Sequence, residues 1–506
     1  MLYNNNYYHL KQIILINKME GLSIKSCFIF NSKLKSPKKK PSDDEAQDAK
    51  LLYYYPKNEE LLVKRSNIGI IEGTLSFMES FEKTNTQFLL TELNKFYFVT
   101  NNYENDFSIV FILEKGSPMF SYYQSIATKK KWLKKIIDNF YNMFSLFHHS
   151  FTKFFLSDET PEIRVELPEK KMKKIEDFTL NFIEYFSQMR LPFIDNVVYF
   201  PLQEQLQANI LLGVQRLNEK IPDMAMSSII YKGHIIHNQL PLECFSLLYN
   251  MFYSSFDFNP KYNNFKSPPE MVIHSISQDA VLSQEKKGDK SGDTFFEDEN
   301  EVSPFRKMFG LGTSMSDYII GIKKGKANNY NMFIPLVHVR QLDENFKLLA
   351  YYYNGMLIFI FLNEKFNIPH RLSTTLTKVE KWVERYFKEN FDYLEKIYRV
   401  KMTQPDSITY AYCNNANRSL KLSGLFLNKK NKSLDEAKFE LLQKVMLMNS
   451  EVQMTSLTKY KGYYIYYINS CERNVVMVYN DSLSLPQLKK LIEENKGQLF
   501  EYIYMI

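Results

Sequence analysis

Tryptophan occurs twice and glycine only 16 times in the 506 residues of this chain, and its four cysteines stand far apart. Cys27, Cys244, Cys413 and Cys471 share no metal-ligand or redox spacing, so a zinc module and a disulfide framework are both excluded, and buried thiols in a reducing compartment are expected. No stretch approaches the roughly 18 consecutive apolar residues of a transmembrane helix. The opening MLYNNNYYHLKQIILINK lacks the basic start and apolar core of a signal peptide and reads as an extension, residues 1–22. Enzyme signatures are missing too: no phosphate-binding G-x-x-x-x-G-K-[ST] loop, no G-x-S-x-G elbow and no H-E-x-x-H pair. His148 and His149 are adjacent, so on a helix they face different ways. His234 and His237 fall on opposite faces of a strand. Neither pair can hold one ion, and no cofactor or metal is expected.

Apolar residues make up 45% of the chain, enough for several cores, and 15% are aromatic, with 40 Phe and 35 Tyr. Lys and Arg number 64 against 57 Asp and Glu, a net charge of +7 that is modest for this length. The basic residues gather at Lys38–Lys40, Lys129–Lys135 and Lys170–Lys174, which read as solvated faces, with attraction to an anionic membrane surface as the sharper alternative. No nucleic-acid partner is expected.

Along the chain, Cys27–Asn31 reads as a strand and Lys35–Lys50 as a charged loop. Leu51–Tyr55 is a second strand, stopped by Pro56. The helix that follows is apolar on two sides. Ile68, Ile71, Leu75 and Met78 form one stripe at helical spacing, and Ile70, Phe77 and Phe81 a second. Glu72, Ser76 and Glu79 share the polar strip between them. A surface helix needs one apolar face, so the second stripe implies either more of this protein or a partner, and Leu75 is assigned to the core side. Ile70, Glu72, Ser76, Phe77, Glu79 and Phe81 are the candidate contact residues. Glu72 and Glu79 read as a solvated or partner-facing strip rather than an acid–base pair.

Strands at 87–92, 95–100 and 107–113 follow, with Asn101, Asn102, Asn105 and Asp106 read as the last turn. One long helix is expected over 130–156. The order β-β-α-β-β-β-α makes an antiparallel sheet with helices on its faces. Further on, Lys232-Gly233 and Asn354-Gly355 mark hairpin turns. One helix is expected over 374–398, and in the last unit helices over 435–447 and 484–494. Ser283–Glu301 is charged and poor in apolar residues, and reads as a disordered insert. The expected architecture is α/β, with three longin-like domains, each an antiparallel sheet flanked by helices. The boundaries are 23–158 for the first, 159–192 for a helical linker, 193–400 for the second with an insert over about 262–312, and 401–506 for the third.

This order carries a resemblance. Cys27-Phe28-Ile29-Phe30-Asn31, Lys50 to Pro56, Lys64, Asn67-Ile68-Gly69, Glu72 and Phe77 resemble the first longin domain of the Ccz-type vacuolar fusion protein family. Tyr199-Phe-Pro-Leu202, Ile229–Ile236 and Tyr410–Leu420 resemble segments of its second and third domains. The resemblance implies a subunit of the Mon–Ccz complex. That complex is a heterodimeric guanine-nucleotide exchange factor for a late-endosomal or vacuolar Rab GTPase in vesicle-mediated membrane trafficking and fusion. It implies no catalytic residue constellation, and a regulator of a GTPase rather than an enzyme. The implied partners are a Mon-like longin subunit and a Rab GTPase. The implied location is cytoplasmic, peripheral on late endosome, vacuole or lysosome membranes. The alternatives are a non-catalytic longin scaffold or tether, or a subunit of a Hermansky–Pudlak-type or intu-like exchange factor.

Overall fold

A computed structural model describes residues 23–81, 88–104, 106–115, 126–156, 162–188, 197–200, 202, 204–255, 316–319, 321–324, 330–333, 336–353, 356–366, 368–386, 388–403, 409–414, 416, 418–422, 454–460, 462–470, 473–480 and 482–503. These fall into two compact units, one holding the described residues up to 188 and the other those from 197 on. The expected insert, the Asn354-Gly355 turn, the helix over 435–447, the N-terminal extension and Cys471 lie outside the described residues.

The first unit is built on five antiparallel strands: β1 (Ile24–Asn31), β2 (Leu51–Tyr55), β3 (Phe88–Glu92), β4 (Phe96–Tyr103) and β5 (Phe107–Glu114). Their order is β2-β1-β5-β4-β3. β1 and β5 lie inside and are buried on both faces, which is why Cys27–Phe30 and Phe107–Leu113 read as near-continuous apolar runs. Alternation sorts their side chains. Phe28, Phe30, Val110 and Ile112 join Tyr54 and Phe98 in a cluster on one face, with Phe28 stacked on Tyr54 at 5.2 Å between centroids. Phe111 points to the other face, where it meets Phe140 edge-on at 5.4 Å and Phe182 at 6.0 Å.

The first face is covered by helix α2 (Leu61–Phe81), whose Ile68 and Ile71 are fully buried in that cluster. It is preceded by α1 (Asp43–Lys50). The expected charged loop therefore contains a helix. Ser42 starts it by a capping box: its Oγ accepts from the Glu45 N–H at 3.3 Å, and the Glu45 carboxylate accepts from the Ser42 N–H at 3.0 Å.

The second face is covered by three helices: α3 (Ile126–His148), α4 (Phe151–Phe155) and α5 (Glu169–Gln188). They share an aromatic layer in which Phe144 lies 4.9 Å from Phe151 and 5.4 Å from Phe178. The single helix expected over 130–156 is thus two. The chain turns left-handed at His149 (φ 65), and Ser150 caps α4. Glu104 locks the break: its carboxylate accepts from the N–H groups of Phe151 and Thr152 at 2.6 and 2.8 Å, and from the hydroxyl of Tyr141 at 2.7 Å. Glu104 itself is at φ 47, in the turn between β4 and β5. Asn101 and Asn102, expected in that turn, lie instead within β4. Asn101 donates to the Asp138 carboxylate at 2.8 Å, and Asn102 accepts from the Ser108 hydroxyl at 2.7 Å. The expected linker, 159–192, supplies α5. Its Phe178 and Phe182 sit on Phe140 at 5.2 and 4.9 Å, so it is a packed layer of this unit.

The second unit holds two larger sheets. Strands β6 (Met224–Tyr231), β7 (His234–Asn238), β8 (Ser316–Ile319), β11 (Leu336–Val339), β12 (Glu344–Tyr353) and β13 (Met356–Asn363) form one, in the order β11-β12-β13-β6-β7 with β8 also on β12. β9 (Gly321–Lys324) and β10 (Tyr330–Phe333) pair separately. The β6–β7 turn has Lys232 at φ 42 and Gly233 at φ 84, the left-handed pair that a two-residue hairpin requires. Helices α6 (Glu204–Lys220), α7 (Leu242–Ser255), α8 (Ile368–Tyr386) and α9 (Lys388–Thr403) accompany it. The helix expected over 374–398 falls on α8 and α9, and residue 387 between them lies outside the described residues. Trp382 of α8 is wholly buried and donates its indole N–H to the Gly213 carbonyl at 2.6 Å, fixing α8 against α6.

The last sheet comprises β14 (Thr409–Asn414), β15 (Ser419–Leu422), β16 (Met454–Tyr460), β17 (Tyr463–Ser470) and β18 (Arg473–Asn480), in the order β15-β14-β18-β17-β16. β16 was not expected, and α10 (Leu485–Ile503) runs past the expected end at 494. Val197 bridges to Ser419 and Tyr199 to Ile235, so one short segment touches both sheets of this unit. The α/β class stands: among the described residues, three larger antiparallel sheets with flanking helices, beside the β9–β10 pair.

Candidate functional site: the outer face of helix α2

Helix α2 has no acidic residue in its first turn and no basic residue in its last, so its position comes from its neighbours. Helix α1 straps its first half. Arg65 donates to Asp44 at 2.5 Å and to both oxygens of Asp48, at 2.6 and 2.8 Å. Its guanidinium pKa is pushed up, chiefly by the hydrogen bond to Asp48. Gln47 Nε2 donates to the Arg65 carbonyl at 2.9 Å. Lys50 pairs with Glu72 at 2.8 Å, both side chains half-buried. Asn67 donates to the Tyr54 hydroxyl at 2.8 Å, tying the helix to β2.

These bonds fix the rotation of the helix and decide between its two apolar stripes. Ile68 and Ile71 are inside and Leu75 packs against the same cluster, as expected of the core side. Ile70 is 39% exposed and Phe77 62% exposed on the opposite side, joined by Leu62 at 74%. Ser76 is exposed. Glu72 is withdrawn from the contact set, because its carboxylate is engaged by Lys50 of the same unit. The side chains of Glu79 and Phe81 lie outside the described residues.

Two glycines complete the outer face. Gly69 and Gly73 are one helical turn apart and exposed. A Cβ added at Gly73 would meet nothing within 4 Å, and one at Gly69 would come within 3.4 Å of Gln47 alone. Glycine inside a helix costs about 1 kcal/mol relative to alanine. At Gly73 no contact among the described residues explains that cost. A smooth glycine surface lets another backbone come close, between the flanking apolar side chains of Leu62, Ile70 and Phe77. Gly73→Ala should therefore raise the stability of the isolated chain by about 0.5–1 kcal/mol, read as a higher denaturant midpoint at unchanged slope. A lower midpoint would show that this face is already covered from within.

Sequence reasoning missed α1, although Ser42-x-x-Glu45 is a legible capping box. It also missed the Gly69–Gly73 pair, visible as a four-residue spacing. Among the described residues, no three His, Cys, Asp or Glu side chains gather as a metal site would need, and no helix is long and apolar enough to cross a membrane.

A five-stranded antiparallel sheet with one helix on one face and further helices on the other is a longin arrangement, and comparison with known families agrees. Residues 24–149 match the family described as the first longin domain of INTU, CCZ1 and HPS4. The match runs from the start of β1 to the break after α3. Within it the chain is similar to proteins named vacuolar fusion protein CCZ1 homolog. The Xenopus laevis protein is 24% identical over 242 residues, 46% of this chain and 48% of the relative. The Danio rerio protein is 24% identical over 243 residues, 45% and 47%. The Tetraodon nigroviridis protein is 25% identical over 240 residues, 45% and 47%. The chain thus spans about half the length of the curated relatives it matches. Family match and relatives together support the Ccz-type family.

Proposed function

We propose that this chain acts in vacuolar fusion as the Ccz-type subunit of a two-chain guanine-nucleotide exchange factor for a Rab GTPase. The observation that carries this reading is the outer face of α2, apolar and glycine-lined on a helix whose other side is already buried in its own sheet. In this reading a second longin-domain chain, of the Mon type, covers that face. The pair works at the cytoplasmic surface of late endosomes or vacuoles.

Exchange of this kind needs no nucleophile and no cofactor. The pair binds the nucleotide-free GTPase more tightly than the loaded one, and that difference in affinity alone drives nucleotide release. Each factor of ten in differential affinity corresponds to about 1.4 kcal/mol.

The test is release of a fluorescent guanine nucleotide from the cognate Rab, measured with this chain alone and with its co-purified longin partner. The expected result is acceleration by the pair and the spontaneous rate with the chain alone. Full acceleration by the chain alone would overturn the two-chain reading. No acceleration by either would favour a non-catalytic scaffold.

A further inference from the structure

The assembly reading leaves the basic run Lys38–Lys40 unused, and its place in the fold gives it a different role. The segment leaves an anchored point and enters another. Before it, Lys35 is held by main-chain bonds: its N–H donates to the Glu162 carbonyl at 2.9 Å, and its carbonyl accepts from the Arg164 N–H at 3.0 Å. After it, Ser42 is fixed as the cap of α1. Between these points Pro37 to Pro41 are exposed, and Ser36 is half-exposed. The Ser36 Oγ accepts from the Lys38 N–H at 3.3 Å, a local turn with no long-range bond to break.

The order here is Ser36-Pro37-Lys38-Lys39. Among the described residues Ser36 is the one serine or threonine followed by proline. Proline offers no N–H and holds the residue before it extended, the form in which a substrate strand crosses a kinase active site. Lys39 puts an exposed cation three places beyond the hydroxyl.

We propose that Ser36 is a phosphorylation site for a proline-directed protein kinase that reads a basic residue three positions on. The co-substrate is a magnesium-bound nucleoside triphosphate held by the kinase. The Ser36 Oγ attacks the γ-phosphorus, and an Oγ–P bond forms. The bond from that phosphorus to the β,γ-bridging oxygen breaks, and the nucleoside diphosphate leaves. The hydroxyl proton passes to the kinase's carboxylate base. The product puts a charge of about −1.5 to −2 among Lys33, Lys35, Lys38, Lys39 and Lys40. Lys38 now holds the Glu45 carboxylate at 2.5 Å, and Lys35 holds Glu162 at 2.8 Å. The phosphate competes for both lysines, so modification changes the charge of the segment and loosens its two ion pairs together.

The full-length chain would be incubated with a cyclin-dependent-type kinase and magnesium ATP, and the phosphorylated positions mapped by peptide mass spectrometry. Ser303-Pro304-Phe305-Arg306 has the same residue order and serves as an internal comparator. The expected result is phosphate at Ser36, lost in Ser36→Ala. Pro37→Ala and Lys39→Ala should each slow incorporation at Ser36 about tenfold, the scale of one lost recognition contact, with the rate at Ser303 unchanged. Label confined to Ser303, no label at all, or a Ser36 rate indifferent to both variants would each overturn the proposal.

Discussion

Ile71→Asp is expected to abolish the cooperative melt of the first domain, while Phe77→Asp is expected to melt as the parent does and to fail only in assembly. The two positions sit on one helix, fewer than two turns apart. Ile71 is wholly buried against Phe28, Phe30, Tyr54, Phe98, Val110 and Ile112. A carboxylate there would lie among apolar side chains, and an unpaired buried charge costs several kcal/mol. That is comparable to the whole stability of a typical domain, about 5–15 kcal/mol. Phe77, at 62% exposure, leaves a new carboxylate in water. Its replacement should move the melting temperature by little, because surface substitutions fall within about 0.5 kcal/mol. The loss should be in capture of the longin partner. Circular dichroism and a pull-down on both variants read the two effects separately. An unfolded Phe77→Asp chain, or an assembling one, would contradict the division of faces.

The second large effect is on acid stability. His148 closes α3, packed among Phe144, Phe154 and Phe178 at 4.8, 5.5 and 6.0 Å. Burial draws its pKa down to about 3, helped by the charges of Lys174 and His149. In the unfolded chain the same imidazole titrates near 6.5. Between these values the unfolded state binds a proton that the folded state refuses, so stability falls as pH falls. The contribution is intact above about pH 6.5 and is lost progressively towards pH 3. Each pH unit in that window costs about 1.4 kcal/mol, or about 2 kcal/mol from pH 6.5 to 5. His148→Phe, which keeps a ring in the aromatic layer, should remove that slope. Denaturant melts of parent and variant at pH 7.5 and 5.0 check it. Equal losses on acidification would show that His148 does not carry the effect.

How far the sequence foretells this fold depends on how local the causes are. β1, β2 and α2 were legible because their signals repeat at the period of the element itself: alternation about Phe28 and Phe30, and the 3.6-residue spacing of Ile68, Ile71 and Leu75. The two apolar stripes of α2 were legible as well. Which strip residues remain available was not, because that depends on α1, where Lys50 takes Glu72 and Arg65 is held by Asp44 and Asp48. The break between α3 and α4 was hidden for a like reason. The carboxylate that caps α4 is Glu104, distant in sequence and presented by a strand turn. Asn101 and Asn102 misled in the opposite way. Their local preference is for turns, and it is overridden by Asp138 and Ser108, partners supplied by the tertiary fold. The Gly69–Gly73 pair stood in plain view. Its meaning needed the surroundings, since only the open space beside Gly73 separates a contact surface from a packing need.

The proposed assembly rests on the outer face of α2, and a photo-crosslinking residue placed at Phe77 in the co-purified complex tests it most directly. If that face is the junction, illumination yields a covalent adduct to the second longin-domain chain, and prior substitution of Gly73 by leucine, which fills the groove, removes it. An adduct to the GTPase alone, or no adduct from a complex that is fully assembled, would place the junction elsewhere and contradict the two-sided role of the helix.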